Sequence, residues 1–234
     1  MDKKIRLLVC CEESQRVCTA FRKRGWEAYS CDIEPCSGGH PEWHIQQDVL
    51  PLINGDCTFT TMDGVEHHID GQWDLLICHP PCTYLSNAGA RHLWKGHRLN
   101  QERYAKGLEA KAFFMEFYNA RCEHVVVENP IPSKIYELPA YTQAVQPYEY
   151  YGERHPYTKK TCLWERNVPQ LIPVNPVEPV ATWCPSGSYS HKHGAKHKGM
   201  FTTDRAKNRS KTFEGIAQAM ADQWGAYIEG EPNG

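Results

Sequence analysis

Short apolar runs alternating with helical stripes predict an α/β chain built on a doubly wound, mostly parallel sheet with a small β insertion. Three observations carry this expectation. Ile5–Cys11 and Ala28–Cys31 are short apolar runs that bracket one helical stripe, the pattern of a βαβ unit. Trp73–Cys78 and Val125–Val127 are apolar with little alternation, as strands are when both faces of a parallel sheet are covered. Two longer stretches, 99–122 and 213–227, repeat apolar residues at helical spacing and can supply that cover.

In chain order, the first run leads to Ser14, expected to N-cap a helix through Val17, Ala20 and Phe21 that ends at Gly25. The second run ends in Asp32-Ile33-Glu34, after which Gly38-Gly39 breaks the chain, and Asp48-Val49-Leu50 closes another short segment. Thr58–Thr61 and Val65–Ile69 flank Met62-Asp63-Gly64 as a hairpin, so 57–71 reads as the β insertion. The run to Cys78 must stop at His79-Pro80-Pro81-Cys82, because proline removes ladder donors. The next helix carries Tyr104, Leu108, Ala112, Met115 and Tyr118 in one stripe, widened by Phe113, Phe114 and Phe117, and Val125-Val126-Val127-Glu128 follows as a buried strand. Five prolines (169, 173, 176, 179 and 185) make 165–186 an extended arm. The last helix aligns Phe213, Ile216, Ala217, Met220, Trp224 and Tyr227. The expected organisation is a core over 1–164, an arm and basic stretch over 165–208, and a helix over 209–230 that returns to the core.

The 234 residues are 41% hydrophobic and 23% charged, with a formal net charge of −2, which excludes a disordered tail, a collagen-like repeat and a coiled coil. No run approaches the roughly 18 apolar residues that a membrane span needs, and the opening apolar stretch is too short for a secretory signal, so a cytoplasmic protein without a membrane partner is expected. Eleven cysteines, an odd number seated mainly in apolar runs, argue against a disulfide framework and for a reducing compartment. Residues 187–211 concentrate seven basic side chains against the single acid Asp204, a strip suited to phosphate contacts. His191, His193 and His197 with Cys184 match no closed zinc spacing, and no metal is expected.

In open α/β sheets, ligands bind beyond the carboxyl ends of the strands. Four such ends carry polar residues here: Glu12 to Ser14, Asp32, Cys82 and Glu128. Cys82 leaves a buried strand through a diproline toward that rim, the setting of a candidate nucleophile once its thiolate is stabilised. Glu128-Asn129-Pro130 ends the neighbouring strand in the same way, with a carboxylate at the rim.

These residues resemble the cytosine-5 DNA methyltransferases, and most closely the compact forms carried by viruses of bacteria. Pro81-Cys82-x3-Ser86 is similar to the family's proline-cysteine motif, and Glu128-Asn129 to its Glu-Asn motif, in the family's order. Cys10 to Gln15 falls at its Phe-x-Gly-x-Gly-Gly loop, with Glu12 and Ser14 standing where the family has glycines. Asp32 falls at the acid that binds the cofactor ribose, and Asp48 at the aspartate that receives the adenine amine. Arg209–Phe213 and the helix after it resemble the last motif. The Gln-x-Arg-x-Arg motif is absent, and Thr158-Lys159-Lys160-Thr161 stands nearest to its place. The target-recognition region is reduced to the arm and basic stretch between Trp164 and Arg209.

The resemblance implies a Rossmann-like class I methyltransferase fold, a catalytic core over 1–164, and S-adenosylmethionine as cofactor. It implies catalytic roles for Cys82, Glu128, Asn129 and Pro81. It implies cofactor contacts from Cys11, Glu12, Glu13, Ser14, Gln15, Asp32, Ile33, Asp48, Val49, His79 and Pro80. Nucleic-acid contacts are expected from Ser86, Arg91, Lys159, Lys160, Lys192, Lys196, Lys198 and Arg209. The implied reaction adds the Cys82 thiolate to cytosine C6 while Glu128 holds the N3 and amine edge. A duplex substrate must then be flipped into the site, and Thr83–Gly96 suits a loop that closes over the target. The expected partner is double-stranded DNA, read by a monomer in the cytoplasm, the host's if the chain is virus-encoded and serves restriction-modification. Three alternatives stay open: RNA as acceptor, a free pyrimidine nucleotide, and an inactive descendant that only binds nucleic acid.

Overall fold

The computed structural model describes residues 4–90, 92–183 and 211–230. Seven strands form one sheet: β1 (Arg6–Cys10), β2 (Glu27–Asp32), β3 (His44–Gln46), β6 (Leu75–Cys78), β9 (His124–Pro130), β10 (Gln143–Val145) and β12 (Thr161–Arg166). Their order is β10-β12-β9-β6-β1-β2-β3. β3, β2, β1, β6 and β9 run parallel, β12 is antiparallel to both of its neighbours, and β10 is therefore parallel to β9 again. This is the expected doubly wound, mostly parallel, Rossmann-like class I architecture. The hairpin of β4 (Cys57–Thr60) and β5 (Glu66–Ile69) forms the small β insertion as its own sheet. Two further pairs stand apart: β7 (Trp94–Lys95) with β8 (Arg98–Leu99), preceded by the single helical turn α2 (Asn87–Ala90), and β11 (Tyr157–Thr158) with β13 (Ala181–Thr182).

The period-2 alternation of strands divides the core into two layers. Leu7, Val9, Ala28, Leu75, Ile77, Val126 and Leu163 face α1 (Arg16–Lys23) and α4 (Glu214–Glu229), against Phe21, Ile216, Met220 and Trp224. Leu8, Cys10, Tyr29, Cys31, Leu76, Cys78, Val125 and Val127 face the other side, under α3 (Gln101–Tyr118) and the β4–β5 hairpin, against Phe114, Phe117, Phe59 and Trp73. The ten described cysteines are all free thiols. Among the described residues no helix is long and apolar enough to cross a membrane.

Several local expectations are corrected. Ser14 is not the N-cap of α1; Gln15 is, in left-handed backbone (φ 57°), and the capping acceptor is the Glu12 carboxylate, at 2.7 Å from the Val17 N–H and 3.2 Å from that of Cys18. Asp48-Val49-Leu50 closes the segment that begins with β3, and the Asp48 Oδ1 accepts from the Leu50 N–H at 3.1 Å. The buried face of α3 runs through Gly107, Phe114 and Phe117, about one residue round from the expected stripe, leaving Leu108 44% and Tyr118 36% exposed. The reason is Tyr136, whose ring lies against Gly107 so closely that a Cβ there would meet it at 2.1 Å. On α4, Tyr227 is 43% exposed and outside the buried stripe. The proline arm is docked at its start: Leu171 is 2% exposed, and Gln143 bonds both its N–H and its carbonyl at 2.8 and 2.7 Å.

Candidate active site

Strand register decides which side chains meet. Cys10 pairs with Cys78, and Cys78 with Val127, so Cys11, His79 and Glu128 emerge side by side at the carboxyl ends of β1, β6 and β9. From β1 the chain turns toward β2 and β3; from β6 it turns the other way, toward β9. The crevice between β1 and β6 is thus the topological switch point where open sheets bind ligands.

On the β6–β9 side, His79 Nδ1 lies 3.1 Å from Glu128 Oε2, with the side chains 6% and 18% exposed. Burial alone would push the imidazole down, but the hydrogen bond and charge of Glu128, aided by Glu12, outweigh it and raise His79 above its ordinary value. Burial likewise works against ionised Glu128, and His79, Lys159 and a hydrogen bond from Thr161 reverse it, so the carboxyl is held below its ordinary value. Each partner thus favours the charged form of the other, against the burial that opposes both. Asn129, 1% exposed, donates from Nδ2 to the Pro80 carbonyl at 2.8 Å, tying the end of β9 to the diproline turn. One atom on each partner remains for a ligand: His79 Nε2 and Asn129 Oδ1 are both buried without a hydrogen bond. Buried polar atoms left so are costly, and a bound group of complementary polarity removes that cost.

Cys82, half-buried, follows Pro80, which is buried, and Pro81, which is exposed. Its carbonyl accepts from the Ser86 N–H at 3.0 Å, closing a tight turn. The segment beyond is zipped to the chain after β9: Asn87 N–H to Ile131 at 2.8 Å, Ser133 N–H to Leu85 at 2.7 Å, with a bridge between Ser86 and Pro132. The nucleophile candidate and Glu128 are therefore carried by two segments fixed to each other. Burial pushes the thiols of Cys10, Cys31, Cys78 and Cys122 up, which disfavours their thiolates.

On the β1–β2 side, the left-handed residues are Cys11 (φ 59°) and Gln15 (φ 57°), not Glu12 or Ser14. The conformations that glycine takes most readily fall on these two positions, and Gln15 is held in its own by hydrogen bonds to His40 N–H and carbonyl at 3.1 and 2.8 Å. Glu12 and Glu13 are buried, 4% and 8% exposed. Burial pushes Glu12 up against the pull of His79 and of the backbone N–H groups it caps. Asp32 ends β2 and accepts from the Glu34 N–H at 2.9 Å. Ile33 beside it is 74% exposed, Asp48 is exposed, and Val49 is buried at 4%.

Of the expected nucleic-acid contacts, Ser86 is 7% exposed and spends its Oγ as acceptor for the Gly89 N–H at 3.3 Å, so it serves the turn rather than an open surface. Lys159 sets its ammonium 5.3 Å from the centroids of both Trp183 and Phe213, and Lys160 lies 5.7 Å from that of Tyr141. Arg91, Lys192, Lys196, Lys198 and Arg209 lie outside the described residues, as do Cys184, His191, His193 and His197. Sequence reasoning missed the His79–Glu128 pair and the capping role of Glu12. Only the register of β6 against β9 brings residues 49 apart into contact, and no local signal announces it.

No protein-family model matches the chain, and no curated protein matches it. Among solved structures it is similar to a protein of an Escherichia coli prophage named as a DNA modification methyltransferase (TM-score 0.39, 11% identity, 76% of this chain and 53% of that one). It is also similar to the Dnmt2 methyltransferase of S. pombe (0.36, 12%, 83% and 58%) and to the methyltransferase EhMeth of Entamoeba histolytica (0.37, 11%, 75% and 58%). The chain spans just over half the length of these structures.

Proposed function

We propose that this chain transfers a methyl group from S-adenosylmethionine to C5 of cytosine in DNA through a covalent bond between Cys82 and C6. The observation that carries the reading is the fixed meeting of the Pro80-Pro81-Cys82 turn with an ionised, buried Glu128, joined by the Asn129–Pro80 and His79–Glu128 hydrogen bonds. A lone reactive cysteine needs no such partner. A pyrimidine attacked at C6 does, because the negative charge that develops at N3 must be met by a proton, which the His79–Glu128 pair can supply at that edge.

The residues present fit the cofactor. Asp32 is available for ribose hydroxyls, Ile33 for the adenine face and Asp48 for the adenine amine, with Glu12 and Glu13 beside them at the end of β1. When bound, S-adenosylmethionine supplies a methyl group activated by its sulfonium. The chain's own residues do the rest. Cys82 adds as thiolate to C6 and drives electron density toward C5. Glu128 accepts from the exocyclic amine, and its pairing with His79 fixes the carboxylate's orientation and charge before substrate arrives. Asn129 holds the diproline turn so that Cys82 stays in register with Glu128. After C5 passes its proton to solvent water, the Sγ–C6 bond breaks and the Cys82 thiolate is regenerated. A base inside a duplex cannot reach this rim, so a double-stranded substrate is flipped.

The test is transfer of radiolabelled methyl to unmethylated DNA by the purified full chain, with tRNA and dCMP as parallel acceptors and nucleoside analysis of the product. Label in 5-methylcytosine of DNA, absent with Cys82→Ala, is the expected result. Label confined to tRNA or to dCMP replaces the acceptor but keeps the chemistry, and no label on any of the three overturns the reading.

A further inference from the structure

We propose that the cleft between the β7–β8 hairpin and the start of α3 binds the nucleotide next to the target base, stacking its ring on Trp94 and holding its phosphate with Lys95 and neighbouring cations. The proposal rests on the reading of the acceptor as a pyrimidine handled by Cys82, and it deepens that reading by making the substrate a polymer rather than a free nucleotide.

The cleft has a volume of about 480 Å³ and is lined by Tyr84, His92, Trp94, Lys95, Arg103 and Lys106, among others. That is within the range of about 300–1,000 Å³ in which small ligands are usually held. Its composition is aromatic and cationic. Trp94 is 51% exposed at the edge of a two-residue strand, where an indole has no packing reason to be. Lys95 follows it, and Arg98 stands opposite Lys95 in the hairpin. Residues 83–106 hold five basic side chains (Arg91, Lys95, Arg98, Arg103 and Lys106) against the single acid Glu102, in a chain of formal net charge −2. Glu102 is engaged by Lys106 at 2.9 Å. An exposed indole beside cations is the arrangement by which proteins hold nucleic-acid strands without reading sequence: bases stack on the ring and phosphates meet the charges.

The cleft is also coupled to the nucleophile. Tyr84 lies two residues beyond Cys82, and Arg103, whose guanidinium lies 5.0 Å from the Tyr84 ring centroid, donates to the Thr83 and Gly89 carbonyls at 3.1 and 3.3 Å. Leu85 and Leu93, 0% and 1% exposed, anchor the segment between them. A nucleotide seated on Trp94 therefore sits on the same braced segment that carries Cys82.

The experiment measures binding, not turnover, so that it fails separately from the methyl-transfer reading. Fluorescence anisotropy with fluorescein-labelled cytosine-containing oligonucleotides, single-stranded and duplex, is run on the full chain, with dCMP as competitor. Trp94→Ala should weaken oligonucleotide binding about tenfold, the change that about 1.4 kcal/mol of lost stacking gives, while Trp94→Phe restores most of it. Lys95→Ala should lower the slope of log affinity against log salt by about 1. Competition by dCMP should be the same for wild type and Trp94→Ala. Tyr227→Ala, an exposed aromatic beside His124 at the amino end of β9, is the control and should bind as wild type does. If Trp94→Ala does not fold, the Lys95→Ala slope decides. Unchanged binding and slope in these variants overturn the proposal and leave the methyl-transfer reading in place. Oligonucleotide binding no tighter than that of dCMP, with label still transferred to dCMP, does the same. No binding together with no transfer overturns both.

Discussion

Replacing His79 by alanine strips Glu128, whose side chain is 18% exposed, of the imidazole that holds its carboxyl below the ordinary value against burial. Removing one partner of a buried pair costs about 3–5 kcal/mol, and the partial exposure of Glu128 puts the expectation at about 3. For a chain of this length that corresponds to a fall in Tm of roughly 6–12 °C. The pH dependence identifies the cause. The folded state raises His79 above its ordinary 6.5, so its contribution is complete below about pH 6.5 and is lost as pH climbs through the raised value. It lowers Glu128 below its ordinary 4.5, so that contribution is complete above about pH 4.5 and is lost as pH falls through the lowered value. The gap between wild type and His79→Ala is therefore widest between about pH 4.5 and 6.5 and narrows on both sides. Urea denaturation across pH 4 to 9 measures it. Glu128→Gln in the His79→Ala background removes the stranded charge and should recover about 2 kcal/mol. A gap that is flat with pH, or losses that simply add in the double variant, would show a cavity rather than an ion pair and would refute the reasoning.

Other changes have equally definite outcomes. Glu12→Ala strips the acceptor from the start of α1 and should cost about 0.5–2 kcal/mol, whereas Glu12→Gln keeps one acceptor oxygen and should lose less, as thermal unfolding will read. Asn129→Ala breaks the tie to Pro80 and should cost about 1–3 kcal/mol while lowering methyl transfer more than cofactor binding, separable by calorimetry. Gly107→Ala forces a Cβ into the buried Tyr136 ring and should cost about 1–3 kcal/mol in urea titrations. Burial raises Glu165 to about 7, against a hydrogen bond from Thr142; folding thus favours its protonated form, and stability should fall as pH rises from about 4.5 to 7. Glu165→Gln should flatten that segment of the profile.

Much of the architecture was legible because burial on two faces writes itself into composition. β1, β6 and β9 are apolar runs, and α3 and α4 are helical stripes, so the parallel centre of the sheet could be read directly. The edge was not: β10 has three residues and β12 is broken in pattern by Trp164, Glu165 and Arg166, and their reversed pairing follows from tertiary contact alone. The face of α3 was misplaced because Phe113, Phe114 and Phe117 blur the stripe while Gly107, whose lack of a side chain admits Tyr136, gives no apolar signal. In the candidate site, Cys82 and Glu128 were visible as polar residues at strand ends. Their connection through His79 and Asn129 was not, since it depends on register between segments about 50 residues apart. Glu12 was legible as a polar residue at a strand end and as a departure from glycine, but its service as the cap of α1 emerges only with the left-handed turns at Cys11 and Gln15.

The most direct test of the central claim is trapping of the covalent intermediate. DNA carrying 5-fluorocytosine presents C6 to Cys82 as cytosine does, but once C5 is methylated the fluorine cannot leave as a proton would, so elimination stops and the Sγ–C6 bond persists. Incubated with S-adenosylmethionine, the full chain should gain the mass of the methylated oligonucleotide, with the adduct on Cys82 in peptide mapping and none formed by Cys82→Ala. Methyl label that reaches cytosine without any adduct, or an adduct that persists in Cys82→Ala, would contradict the account.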